Sequence, residues 1–173
     1  MISIEICQLP SNALLSTYIQ KGAYTDCYKT EIPGEVTYTQ YVNAFYTTFI
    51  FKLERVVLKW AVSKPSSDAQ AAKLAEGITN TFSAWNVEKR CENQLLMCDF
   101  LGRTRSWLMV ETVNGENGKQ TRLYFGSAVV PVKKGKTGKS SLGLGFHALL
   151  GFHKIYSIVL LYSAKSRLKV QKS

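Results

Sequence analysis

The residues able to do chemistry in this chain are few and scattered. His147 and His153 stand six residues apart near the C-terminus, which on a helix separates them by about 240° around the axis. They cannot ligate one metal ion from that helix alone, and His147 reads as a surface residue. His153 falls among Phe146, Leu149, Leu150, Leu160 and Leu161 on an apolar face, where an imidazole needs a partner. It is either a structural histidine or a group that titrates or donates to a ligand. Tyr24, Asp26 and Tyr28 alternate onto one face of a strand, so Asp26 is either a solvated carboxylate or the base of a pocket. Arg103, Arg105, Trp107, Met109 and Glu111 share a face of a later strand. Arg105 and Trp107 would supply a cation and an aromatic wall, joined by Tyr124, for a partly apolar anionic ligand. The bland alternative makes Trp107 core and pairs Arg105 with Glu111 or another strand. No Ser/His/Asp, Cys/His or paired-carboxylate spacing assigns a catalytic residue.

Cys7, Cys27, Cys91 and Cys98 form no C-x-x-C pair, so they read as reduced, half-buried thiols with no structural zinc. The run Gly135-Lys136-Thr137-Gly138-Lys139-Ser140 resembles a phosphate loop but has no glycine five residues before either Gly-Lys pair. A smaller expectation remains. Ser140 or Ser141 caps a long helix, whose N-terminus with Lys133, Lys134, Lys136 and Lys139 attracts an anion or merely solubilises a loop. Neither metal nor cofactor is implied.

The elements that position these groups are bounded by length and charge. At 173 residues and 46% hydrophobic composition the chain is one domain's worth, able to hold a core without disulfides or metals. The net charge of +10 is lopsided: residues 1–131 carry 13 Lys and Arg against 12 Asp and Glu, and residues 132–173 carry 9 against none. A neutral body with a basic end argues against nucleic acid as partner. It admits reversible contact of the C-terminal region with anionic membrane, or a solvated tail that includes Lys165, Arg167, Lys169 and Lys172. No secretory signal opens the chain, so the expected location is cytoplasmic. The apolar stretch 142–164 is interrupted by His147, His153 and Lys154 and is too short between them to cross a bilayer.

A short helix is expected near residues 12–19, then a strand over 23–32 closed by Pro33-Gly34. Thr37 with Gln40 and Ser67 with Gln70 have capping-box spacing, and Phe49, Leu53, Val56, Val57 and Trp60 recur at helical intervals, so two or three helices fill residues 37–77. Gly77 is their natural stop. Residues 82–89, 94–100, 103–113 and 120–130 read as strands. Their short turns, among them Leu101-Gly102 and the run from Asn114 to Gly118, force an antiparallel meander and exclude a doubly wound nucleotide-binding sheet. A long apolar helix follows.

Strand, helices, four strands and a long final helix fit an α+β domain in which an antiparallel sheet wraps around a C-terminal helix. This is the helix-grip arrangement of START-type and polyketide-cyclase-type (SRPBCC-type) domains. Gly102-Arg103-Thr104-Arg105-Ser106-Trp107-Leu108, Thr121-Arg122-Leu123, and Leu142-Gly143 with His147, Leu149-Leu150 and Phe152-His153 carry a more specific likeness. They resemble a START-like bacterial family of unknown function, often found behind a short-chain-dehydrogenase-like domain, over about residues 84–164. The resemblance implies a fold and an apolar cavity rather than an activity. The expected organisation is one helix-grip domain over 1–165 and a flexible basic tail over 166–173. The expected function is binding of a small hydrophobic or amphipathic molecule with a polar or anionic end, its walls supplied by Arg105, Trp107, Tyr124 and His153. The rival is a cyclase, dehydratase or isomerase in the same cavity, with Asp26 or His153 as base and Arg105 stabilising an enolate.

Overall fold

A computed structural model describes residues 4–52, 66–115, 118–130 and 144–170, with the side chains of the last segment described over 154–169. The elements run β1 (Glu5–Ile6), α1 (Ser16–Gln20), β2 (Tyr24–Pro33), α2 (Tyr38–Tyr46), α3 (Asp68–Ala75), β3 (Thr81–Phe82), β4 (Trp85–Cys91), β5 (Gln94–Asp99), β6 (Thr104–Gly115), β7 (Gly118–Val129) and α4 (Leu144–Val170). Residues 49–52 are also helical. The strands form one seven-stranded antiparallel sheet in the order β1-β2-β7-β6-β5-β4-β3.

Local chemistry accounts for most element boundaries. Thr37 and Ser67 each accept a hydrogen bond from the backbone N–H three residues on, while Gln40 and Gln70 reach back to the cap N–H groups. Both expected capping boxes are therefore formed. Gly77, two residues beyond α3, has φ +80°, a left-handed conformation that glycine adopts without a Cβ clash. β6 and β7 pair from Thr104 opposite Val129 to Gly115 opposite Gly118.

Both faces of the sheet are covered, which explains why β6 shows no apolar alternation in sequence. On one face Tyr28, Ile32, Leu95, Met97, Leu108, Val110, Leu123 and Phe125 pack with α2, α3 and the C-terminal helix through Tyr41, Phe45, Leu74, Leu160, Leu161 and Leu168. On the other, Cys27, Leu96, Trp107, Met109, Tyr124 and Ala128 pack under Ala13, Leu14, Leu15 and Tyr18. The N-terminal segment thus forms a third layer that no local pattern in the sequence marks. Its only helix is a single turn starting at Ser16, later than expected, and its strand β1 has two residues. Elements that short carry no readable period; the same holds for β3.

The C-terminal helix reaches into the segment expected as a tail. It continues to Val170, so residues 166–170 are its last turns, while Lys172 and the loop carrying Lys133, Lys134, Lys136 and Lys139 lie outside the described residues. Lys165, expected in a solvated tail, is only 5% exposed and donates from Nζ to Thr30 Oγ1 at 2.7 Å. The helix seats against β2, and that contact takes the lysine inward with Ala164 and Leu168.

Burial first, and Lys169 second, hold the Lys165 pKa below its ordinary 10.5, against an opposing pull from Glu31. The unfolded chain then binds more protons than the folded one between the two pKa values, so stability rises with pH in that window. Lys165→Met is expected to stabilise the protein by about 1 kcal/mol at pH 7. The gain should shrink as pH approaches 10.5, measured by urea denaturation at pH 7 and pH 10. A loss of stability at pH 7 would show that the amine is a net structural asset.

Candidate functional site

The residues expected to line a single cavity are divided between the two faces of the sheet. Asp26 stands opposite Ser127 in β7, which stands opposite Ser106 in β6. Tyr24, Asp26 and Tyr28 therefore belong to the face that carries the C-terminal helix. Arg105 and Trp107, adjacent to Ser106 along β6, point the other way, together with Tyr124. These three do not line a cavity between sheet and helix. The alternation of a strand decides this, and sequence alone did not say which face would receive which layer.

On the N-terminal side, each of the three has a structural job. Trp107 is fully buried beside Tyr124, and its Nε1–H donates to Gln94 Oε1 at 2.9 Å. The same oxygen accepts from the Leu14 N–H, and Gln94 Nε2 donates to the Asn12 carbonyl. Gln94 thereby ties the N-terminal layer to the sheet, a role no local pattern announced. Arg105 Nε donates to Glu88 Oε2 at 2.6 Å and to the Tyr18 hydroxyl at 2.7 Å, with its guanidinium over the Tyr18 ring. The Tyr18 hydroxyl in turn donates to Glu88 Oε1. The bulge that shifts register between Val87 and Lys89 falls on Glu88 and gives this pair its strand offset. Tyr124 donates to Glu111, and Arg122 pairs with both Glu31 and Glu111. Arg105 is committed to an ion pair across the sheet from Asp26, so an enolate site combining the two is not assembled.

On the opposite side and around the edge of the sheet, the geometry is different. A cleft of about 470 Å³ is lined by Ile6, Cys7, Gln8 and Leu9 of the N-terminal segment, Ile19 of α1, residues 24–28 of β2, and Lys154 of α4. It lies beyond the short β1–β2 ladder, which pairs Glu5 and Ile6 with Lys29 and Tyr28, so that the early part of β2 flanks a concavity. Tyr24, Asp26 and Tyr28 all line this cleft. Asp26 Oδ1 accepts from both the Ser127 N–H at 3.1 Å and the Ser127 hydroxyl at 2.5 Å. That doubly held carboxylate fixes the polar floor. Burial, and then the Asp26 charge, push the Tyr24 and Tyr28 hydroxyls above the ordinary tyrosine pKa, so both are neutral donors at physiological pH.

The apolar part of the lining is unusual for an exposed surface. Ile6 is 77% exposed and Ile19 52%, and both converge with Leu9 on this cleft. Lys154 stands exposed at its helix side. His153 is the preceding residue of α4, but its side chain lies outside the described residues. A second concavity of about 370 Å³ is lined by Ser66, Ser67, Ala69, Gln70 and Lys73. Among the described residues, no group of His, Cys, Asp and Glu is arranged to hold a metal ion, and no helix is long and apolar enough to cross a membrane.

The fold and cleft define an α+β protein whose seven-stranded antiparallel sheet carries a long C-terminal helix on one face and an N-terminal layer on the other. No protein-family model, curated protein or solved structure matches the chain.

Proposed function

We propose that this protein binds a small amphipathic molecule in the cleft beside β2, with the apolar body against Ile6, Leu9 and Ile19 and the polar or anionic end near Lys154 and the Tyr24 hydroxyl. We also propose the helix-grip, START-type layout, supported by the insertion of helices between β2 and the meander and by the closing helix across β2. The carrying observation is the convergence of exposed isoleucines with an ordered polar floor in a concavity of ligand-binding size.

The test is titration with anilinonaphthalene sulfonate, an anionic amphipathic fluorophore. Thr25→Trp, at a half-buried cleft position, fills the concavity and is expected to weaken binding about tenfold, equivalent to about 1.4 kcal/mol, with the unfolding midpoint little changed. Equal affinity of variant and wild type would refute this placement.

A second reading rests on the C-terminal helix. Ile155, Ile158, Val159 and Tyr162 are exposed at i, i+3, i+4 and i+7 spacing, beside Lys154 and Lys169 in the basic part of the chain. An apolar stripe with basic flanks suits an anionic membrane surface. Sedimentation with phosphatidylserine vesicles should then exceed that with phosphatidylcholine vesicles and fall as salt rises. Binding that ignores lipid charge and salt would dismiss it.

A further inference from the structure

Cys7 and Cys27 meet at the end of the β1–β2 ladder. Glu5 pairs with Lys29 and Ile6 with Tyr28; continuing that register places Cys7 opposite Cys27, and the Cys7 N–H donates to the Cys27 carbonyl at 3.0 Å. Their sulfurs lie 3.2 Å apart. Directly opposed antiparallel residues have Cα separations of about 4.5–5.5 Å, inside the range a disulfide spans. Closing the bond therefore asks for side-chain adjustment rather than a new backbone path. Both residues line the cleft, and the half-buried Cys7 is the one open to a small oxidant, Cys27 being buried behind it.

We infer that Cys7 and Cys27 form a peroxide-responsive dithiol, in which Cys7 is oxidised first and Cys27 resolves it to a disulfide that fastens the N-terminal wall of the cleft to β2. The two sulfurs differ in the way this sequence needs. Cys7 is half-buried, while Cys27 is buried. The Cys27 thiol beside it, with Lys29 and Arg122, lowers the Cys7 pKa below the ordinary thiol value despite burial and Glu5. The Cys7 contact and burial push Cys27 the other way. In the first step the Cys7 thiolate attacks one oxygen of hydrogen peroxide, the O–O bond breaks, and the hydroxide released takes up the proton that Cys7 gave up, leaving a sulfenic acid and water. In the second, Cys27 sulfur attacks the Cys7 sulfur, the S–O bond breaks, and the departing hydroxide takes the Cys27 proton to leave as water. Two thiols and one peroxide thus give one disulfide and two waters.

This inference does not depend on what the cleft binds. The full chain is treated with hydrogen peroxide under native conditions, free thiols are alkylated, and the protein is digested without reductant for peptide mass mapping. The expected product is a Cys7–Cys27 linked peptide within one chain, two hydrogens lighter than the dithiol, while exposed Cys91 and half-buried Cys98 remain alkylated. Cys27→Ser, which keeps a donor beside Cys7 but cannot resolve it, should stop at a sulfenic acid on Cys7, trapped by dimedone, and Cys7→Ser should abolish the link. The preference over Cys91 should vanish when the same treatment is made in guanidinium chloride. Recovery of Cys7 and Cys27 fully alkylated at a peroxide dose that oxidises Cys91 would overturn the inference, as would equal preference in the native and denatured chain.

Discussion

Trp107→Ala lowers the unfolding free energy by about 3–5 kcal/mol, as measured by urea denaturation, and is the most damaging truncation expected in the sheet. Trp107 is buried between Tyr124 and the N-terminal layer, so its removal leaves a cavity that two layers would have to close together. It also takes away one of two donors to Gln94 Oε1. The loss should have a local signature, since Ala13, Leu14, Leu15 and Tyr18 pack on this indole's cluster. Residues 7–23 should become the preferred site of limited proteolysis. A loss below about 1 kcal/mol would place Trp107 outside the core and reopen its role as a ligand wall.

Gly126→Val should cost at least about 2–3 kcal/mol, the upper part of the range for overpacking a well-filled core. Gly126 lies between Cys27 and Trp107 in the paired strands. A Cβ there would stand 2.9 Å from the Asp26 carbonyl oxygen and 3.0 Å from both Leu15 Cδ2 and Trp107 Cε3. The backbone oxygen cannot move aside as a flexible side chain would, and it belongs to a residue that lines the cleft. The variant should therefore lose stability and, through displacement of β2 at Asp26, weaken fluorophore binding as well. A stable variant with wild-type binding would mean that Leu15 and Trp107 relax freely, contrary to the dense packing of the N-terminal layer.

The legible parts of the fold were those written in local chemistry. Thr37 with Gln40 and Ser67 with Gln70 announce helix starts because a side chain satisfies a backbone donor within the same turn, and the meander announces itself through short connections that only antiparallel strands permit. The face of β2 that carries Tyr24, Asp26 and Tyr28 was readable for the same reason, since alternation is local. The destination of each face was not. β6 is buried on both sides, so Arg105-Ser106-Trp107-Leu108 offers no apolar contrast, and placing Trp107 toward the final helix or away from it depends on where residues 7–23 travel. Lys165 reads as a tail residue in sequence because burial of a lysine is a tertiary event, settled by how α4 meets β2. Cys7 and Cys27 stand twenty residues apart and show no motif; only the β1–β2 register brings them together.

The most direct test of the account is the location of binding in solution. Backbone amide shifts of isotopically labelled protein, followed while anilinonaphthalene sulfonate is added, should change most at Ile6, Cys7, Thr25, Asp26 and Lys154 and remain nearly still at Arg105 and Trp107. Largest changes on the Ile155, Ile158, Val159 and Tyr162 face, or around Arg105, with the β2 cleft unmoved, would contradict the assignment of the cleft as the ligand site.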